Sequence, residues 1–320
     1  MANRIYAQGR LTNAPARLTS LDFSDRVDGW VDSGALGMFT KLTEHCFLPC
    51  RDDEAGVTTE EDYFKSDVNA INNSIGVAGF FDGQTFDSGC AFEVGYGYAK
   101  GCAVNLITTD FFKYYPGDSK ECYNISKLME HIASIVHYSG PPNPPAENYR
   151  QQINDIIEEA YNQFLQNLHV TYRDFELSPL QAQAKRFDYY LDPNFKNTET
   201  ARWLLDKITQ SISDAGKTYV IGDNVNDIDN DISNLIASEQ AIFYSDAYEP
   251  DVDSGILQGI AYAMSSEAGG NPGNKKPIVY CSKSQRFHSG FADALLNGMI
   301  RYSAEAVVAS FDELLTHISK

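Results

Sequence analysis

The chain has 320 residues and a formal net charge of −19, with 43% hydrophobic and 22% charged residues. That length fits two domains of ordinary size, the composition is that of a folded globular protein, and the charge argues against a nucleic-acid polymer as partner because phosphates are repelled. No apolar run approaches the roughly 20 residues of a membrane span, the N-terminus passes from Met1 straight into strand-like sequence, and the six cysteines read as free thiols of a cytoplasmic protein, since Cys46 and Cys50 have no second pair to complete a zinc set.

Strand and helix signals alternate along the chain. Ile5-Tyr6 reads as a first strand and Cys46-Phe47-Leu48 as a second. Residues 60–74 carry Phe64, Val68 and Ile71 at helical spacing. Residues 76–81 form a short apolar run closed by Asp82-Gly83, a strand followed by a turn. A helix is expected over 88–100, capped by Ser88 and stopped by Gly101, and a strand over 103–108. Four prolines between 139 and 146 end the first half, and the helix-periodic stretch from 149 to 168 is expected to bridge to the second. There the order repeats. Strands are expected near Tyr189 and over 218–221, 241–244 and 277–280, with helices over 198–213, 225–238, 254–264 and 290–301. Residues 268–276, rich in Gly, Asn and Lys, read as a mobile surface loop. Such alternation implies parallel sheets with helices on both faces.

Two stretches of the chain are similar to each other. Asp87-Ser88-Gly89-Cys90-Ala91-Phe92-Glu93-Val94-Gly95-Tyr96 aligns without a gap on Asp253-Ser254-Gly255-Ile256-Leu257-Gln258-Gly259-Ile260-Ala261-Tyr262. Upstream, Asp67 lies over Asp231 and the run from Val77 over the run from Ala241, with Glu249-Pro250 as a two-residue insertion; the segment from Lys185 reads like that from Asn3. The expected organisation is a duplication: a first domain over 1–145, a helical linker over 146–180 and a second domain over 181–320. The second copy has Gly259 where the first has Glu93, so one working and one retired site are expected.

Ligands of parallel α/β sheets sit beyond the carboxyl ends of the strands, where residues 80–89 lie. Asp87 stands at a helix entrance and Glu93 about a turn and a half further in. Two carboxylates facing one pocket suit glycosidic chemistry, one attacking the anomeric carbon and the other handling a proton on the leaving group. The plainer alternative makes Asp87 a helix cap and Glu93 a surface charge. Gly95 and Gly97, each costing about 1 kcal/mol in a helix interior relative to Ala, mark close approach to another backbone. The six histidines show no metal spacing, and Asp223, Asp227, Asp229 and Asp231 lack the glycine and terminal glutamate of a calcium loop; a charged helix start is expected there.

Ile5-Tyr6, Asp67-x-x-Ala70-Ile71, Phe81-Asp82-Gly83 and the block from Asp87-Ser88-Gly89 through Glu93, Gly95-Tyr96, Tyr98-Ala99-Lys100 to Gly101 resemble the nucleoside 2-deoxyribosyltransferases. The resemblance covers most of residues 1–130 and, more faintly, 185–320. It implies two flavodoxin-like doubly wound parallel-sheet domains paired as a pseudo-dimer. The implied enzyme exchanges purine and pyrimidine bases on 2-deoxyribose in nucleotide salvage, without metal or organic cofactor. By the match Glu93 would be the nucleophile, Asp87 and Asp67 would bind the base and manage its proton, and Tyr6 and Gly89 would line the substrate. The family completes each site with an asparagine from a neighbouring subunit. Asn297, in Asn297-Gly298-Met299-Ile300, matches that segment and Asn124 matches it more loosely, so the second copy would donate Asn297 to the Glu93 site. Expected partners are a nucleoside, a free base and further copies of the fused pair, with no membrane. A hydrolase that lets water take the glycosyl group, and a non-catalytic nucleoside- or nucleotide-binding protein, are the alternatives.

Overall fold

The computed structural model describes residues 3–9, 14–34, 41–52, 57–80, 87–108, 126–137, 148–223, 226–245, 252–282 and 296–318. The first half runs β1 (Ile5–Gln8), α1 (Ala14–Asp32), α2 (Pro49–Asp52), α3 (Glu60–Asn72), β2 (Gly76–Phe80), α4 (Ser88–Ala99), β3 (Ala103–Thr108), α5 (Lys127–Ile132), β4 (Ser134–His137) and α6 (Tyr149–Arg173). The second runs β5 (Phe187–Leu191), a 3-10 turn (Pro193–Lys196), α7 (Glu199–Asp214), β6 (Tyr219–Ile221), α8 (Ile228–Ile236), β7 (Ser238–Tyr244), α9 (Val252–Met264), β8 (Ile278–Tyr280), α10 (Gly298–Ser303), β9 (Ala306–Val308) and α11 (Phe311–Ile318).

Both sheets are parallel. The first has the order β1-β2-β3-β4 and the second β6-β5-β7-β8-β9. The expected strand at Cys46–Leu48 is reduced to one parallel bridge, Phe47 on Tyr6, with Ala7 N–H donating to the Phe47 carbonyl at 2.7 Å and Phe47 N–H to the Ile5 carbonyl at 2.8 Å. Phe47 thus occupies the edge of β1 that β6 occupies on β5. Counting that bridge, each half has the flavodoxin-like order 2-1-3-4-5, a doubly wound α/β fold. The bridge is pinned by Asp28 of α1, which accepts from Cys46 N–H at 2.7 Å and from Arg51 at 2.9 Å.

Period-two alternation divides the strands between cores. Ile5, Ala7 and Ala78 face outward onto α1 and α6; Tyr6 and Val77 face inward. Tyr189 and Leu191 face outward onto α7 and α11, and Tyr190 faces inward. The two inner faces share one core, filled from the first half by α3, α4 and α5 and from the second by α8, α9 and α10. Aromatic rings knit it across the halves: Phe64 and Phe92 lie 5.3 and 5.9 Å from the ring of Tyr262.

Two further expectations change. The expected linker carries α6 (Tyr149–Arg173), but α6 is more than a bridge. Its Tyr161, Phe164, Leu168 and Tyr172 are buried against the outer face of the first sheet, where Tyr172 donates to Asn105 of β3 at 3.2 Å. Residues 268–276 are anchored, because Lys100 donates to the Ala268 carbonyl at 2.8 Å, Asn271 to Gln183 at 3.1 Å and Asn274 to Ile236 at 2.9 Å. Their amides terminate neighbouring elements, which composition alone does not reveal. The expected helix over 290–301 is described only from 296 onward. Elsewhere, Asp227 caps α8 and the acidic run is a helix start, with Asp229 and Asp231 in the first turn.

Because Phe164 is 1% exposed within the outer core, Phe164→Ala should lower the unfolding free energy by about 3–5 kcal/mol in chemical denaturation. A loss below about 1 kcal/mol would make α6 a peripheral linker.

Candidate active site

The site grows from the entrance of α4. Asp87, not Ser88, is the N-cap: its extended backbone places the carboxylate to accept from Gly89 N–H at 2.8 Å, and Ser88 is the first helical residue. The helix N-terminus favours this negative charge. Six residues on, Glu93 lies against Tyr6 of β1. Asp67 arrives from α3, a helix fixed in place by the Thr59–Asp62 capping box. Tyr6 arrives from the inward face of β1. Exposures of 0% for Tyr6, 7% for Asp67, 5% for Asp87 and 7% for Glu93 make this a buried acidic cluster.

Its electrostatics follow from enclosure. Burial first, then the charges of Asp67 and Glu93, raise the Tyr6 pKa well above the usual phenol value. The hydroxyl interacts with Glu93, although no partner meets regular hydrogen-bond geometry among the described residues. Tyr6 is therefore a proton-bearing phenol at any physiological pH. Cys90, one turn before Val94, is also raised by burial and then by Glu93, Asp87 and Asp67. Its thiol feels all three carboxylates and stays protonated. The motif gave no reason to single out Cys90, and only the enclosure places it here.

Asn297 reaches this cluster from the second half. It caps α10, accepting from Met299 N–H at 2.9 Å, and its amide donates to Asp87 Oδ1 at 2.8 Å. Two helix entrances thus meet head to head, joined by one amide–carboxylate hydrogen bond. Gly89 leaves room for it: a Cβ there would stand 2.6 Å from Asn297 Oδ1. Arg301 of α10 lies 3.7 Å from Glu60 of α3, tying the same two halves again. The structure therefore brings together Tyr6, Asp67, Asp87, Gly89, Glu93 and Asn297. Asn124 lies outside the described residues. The helix that corresponds to α10 in the first half is α5, and its N-cap is Ser126, which accepts from Met129 N–H at 3.1 Å.

The matching place in the second half is closed by its own side chains. Tyr190 donates to Asp231 at 3.1 Å, and Asp231 also accepts from Asp223 N–H at 3.0 Å. Ser254 donates to Asp192, and Asn194 donates to Ser254 at 2.6 Å. Gly259 stands where α4 has Glu93. A separate hollow of about 830 Å³ beside β1 includes Arg4, Arg51 and Lys65 but none of the three clustered carboxylates in its lining. Arg51 there is held by Asp28 and Asp52 at 2.9 and 2.8 Å.

Burial lifts the Asp231 pKa above the ordinary Asp value, against the opposing hydrogen bonds from Asp223 and Tyr190. A carboxyl raised in the folded state contributes its stability below its unfolded pKa, about 3.9, and loses it as pH rises through the folded value. Asp231→Asn should therefore gain stability relative to the parent as pH climbs from about 4 to 7. A pH-independent difference in unfolding free energy would contradict this assignment.

Residues 34–185 match the family model described as Nucleoside 2-deoxyribosyltransferase. The matched span holds Asp67, Asp87, Gly89 and Glu93 and runs through α6, whereas Tyr6 and Asn297 fall outside it. No curated protein matches the chain with significance. No helix among the described residues is long and apolar enough to cross a membrane.

Proposed function

We propose that this chain, which belongs to the nucleoside 2-deoxyribosyltransferase family through residues 34–185, exchanges bases on 2′-deoxynucleosides at one site per chain. The observation that carries the reading is the Asn297–Asp87 hydrogen bond beside buried Glu93. A helix cap that is also held by an amide from the other half is aimed at a ligand rather than at solvent.

In this reading the Glu93 carboxylate attacks C1′ of the bound nucleoside. A C–O bond to Glu93 forms as the C–N bond to the base breaks, and the electrons of that bond leave with the base. The base must gain a proton as it departs. Asp87 and Asp67 hold the base and carry that proton, and Asn297 fixes the Asp87 carboxylate in place for it. Tyr6 keeps its own proton, so it donates toward Glu93 and orients it without competing for charge. In the second step a free base attacks C1′, the Glu93 ester breaks, and the proton returns to the acid pair. Enclosure favours a base over water as acceptor, because the acids and the phenol are withdrawn from solvent. The strongly negative chain, with Arg301 already engaged by Glu60, favours a nucleoside over a nucleotide.

The second half is read as a duplicate that has lost the nucleophile and kept the donor of Asn297. We divide the chain after α6, so that 1–173 forms the catalytic unit and 187–320 its inactive partner. In a homodimer each site would wait for an encounter between chains. Fusion replaces that encounter with an effective concentration roughly in the mM range for short linkers.

The test incubates the protein with deoxynucleosides, with and without a free acceptor base. Exchange is expected with acceptor present, and Glu93→Ala should abolish it in a folded protein. A slow fluorinated deoxynucleoside should label one position per chain, Glu93, by peptide mass mapping. Label in the second half, or an active Glu93→Ala enzyme, sinks the mechanism. Release of base that ignores the acceptor would assign hydrolysis instead.

Asp87→Asn should lower kcat about 10²–10⁴-fold on natural nucleosides and much less on substrates whose base leaves readily. Equal losses on both would make Asp87 a structural cap.

A further inference from the structure

Gly259 has a second meaning besides a missing carboxylate. A Cβ built on it would lie under 3.0 Å from the Phe92 carbonyl oxygen and 2.7 Å from the Tyr96 nitrogen, both backbone atoms of α4. Backbone cannot rotate out of the way as a side chain can, so only glycine permits this approach. The contact is reciprocal: a Cβ on Gly95 of α4 would strike the Ile256 carbonyl of α9. Gly255 packs the same way, its Cβ position standing 2.7 Å from the Ala91 Cβ and 3.1 Å from the Ser88 carbonyl. In α9 the positions equivalent to Gly89 and Glu93, the substrate-facing pair of α4, are thus the ones spent on contact with α4.

The neighbour of Gly259 connects this contact to the site. Gln258, 2% exposed, donates from its amide to the Ile300 carbonyl and to the Ser303 hydroxyl, both at 2.8 Å. Those are residues of α10, the helix whose N-cap is Asn297. A continuous path therefore runs from the α4 backbone to Gly259, through Gln258 to α10, and from Asn297 back to Asp87 at the entrance of α4. The loop closes on itself within a close-packed core, where a displacement at one contact is passed to the next.

We propose that Gly259 is a positioning residue for the first half's site: it seats α9 against α4 so that α10 delivers Asn297 to Asp87. The proposal rests on the reading of Glu93 and Asp87 as the working pair. It gives the missing glutamate a physical reason. A carboxylate at 259 would push α9 away from α4 and spoil the one site that remains. It would gain little in exchange, because Tyr190 is already paired with Asp231 and Ser254 with Asp192. The second half is then a brace shaped for the first.

The experiment compares Gly259→Ala, Gly259→Glu, Gln258→Met and Asn297→Ala with the parent and with Gly29→Ala, a control at an exposed glycine of α1 with open space around it. Rates are measured on a natural deoxynucleoside and on one with a readily departing base. Gly259→Ala and Gln258→Met should lose on the order of 10-fold or more in kcat on the natural substrate and little on the activated one, the pattern of a misplaced Asp87. Combining either with Asn297→Ala should add no further loss, since all three act through one hydrogen bond. Gly259→Glu should yield no second labelled site. Gln258→Met leaves the α4 contact untouched, so it still tests the path if the Gly259 variants fold poorly. Crystal structures of Gly259→Ala and the parent give a readout independent of activity: α9 should stand farther from α4, with the Asn297–Asp87 bond broken. Parental rates for Gly259→Ala, a loss additive with Asn297→Ala, or an intact Asn297–Asp87 bond in its structure overturns the proposal. If the parent exchanges no bases, the functional reading fails, and the crystal comparison still decides the role of Gly259.

Discussion

α4 and α9 make their closest approach at glycines. Gly95 lies against the Ile256 carbonyl and Gly259 against the Phe92 carbonyl, so two helices at the centre of the molecule touch through backbone. Glycine in a helix interior costs about 1 kcal/mol relative to alanine, and the shared core offsets that cost with the apolar area it removes from water. Phe64, Phe92, Tyr96 and Tyr262 surround the crossing with rings about 5 to 6 Å apart. Around this contact lie the common core, the tie from α10 to α3 and the meeting of Asn297 with Asp87.

The second constraint is charge. Burying carboxylates is costly unless each finds donors or neutralises. Asp87 meets it with the Gly89 N–H, the entrance of α4 and the Asn297 amide. Glu93 and Asp67 face a phenol that burial keeps protonated. The second half meets the same constraint with hydroxyl and amide partners of its own, Tyr190 on Asp231 and Ser254, itself held by Asn194, on Asp192. The two halves thus differ in what their acids face: in the first a neighbouring half's amide and one another, in the second their own side chains.

Where the chain crosses from one half to the other, the connection is packed rather than loose. α6 covers the outer face of the first sheet, and the segment after it lies along the end of α4, where Leu180 N–H donates to the Ala99 carbonyl at 2.9 Å. Gly101, with φ of 83°, turns the backbone there, and a Cβ at that position would run into Ser178 and Pro179. The halves are held in register by the same residues that end the central helix.

Much of this was legible in the amino-acid sequence. The alternation of strands and helices, the place of Asp87 at a helix entrance, the depth of Glu93 and the use of Gly95 for close approach are all local: they depend on caps, periods and glycines within one segment. The resemblance to the nucleoside 2-deoxyribosyltransferases pointed to Tyr6, Asp67 and Asn297 as their neighbours. Other features escaped for physical reasons. Helix α1 buries Ser20, Phe23, Ser24, Val27 and Asp28 at helical spacing, but three of those five are polar and erase the apolar stripe. The strand at Phe47 shrank to one bridge because its neighbours are spent on Asp28 and Arg51. Cys90 became part of the acidic cluster only through enclosure. The identity of each helix and strand is thus written in short-range chemistry. Which face of α9 meets α4, that α6 is core, and that Gly259 is spent on a neighbour's backbone were decided by tertiary packing, because steric contact between segments far apart in the chain leaves no periodic trace in either one.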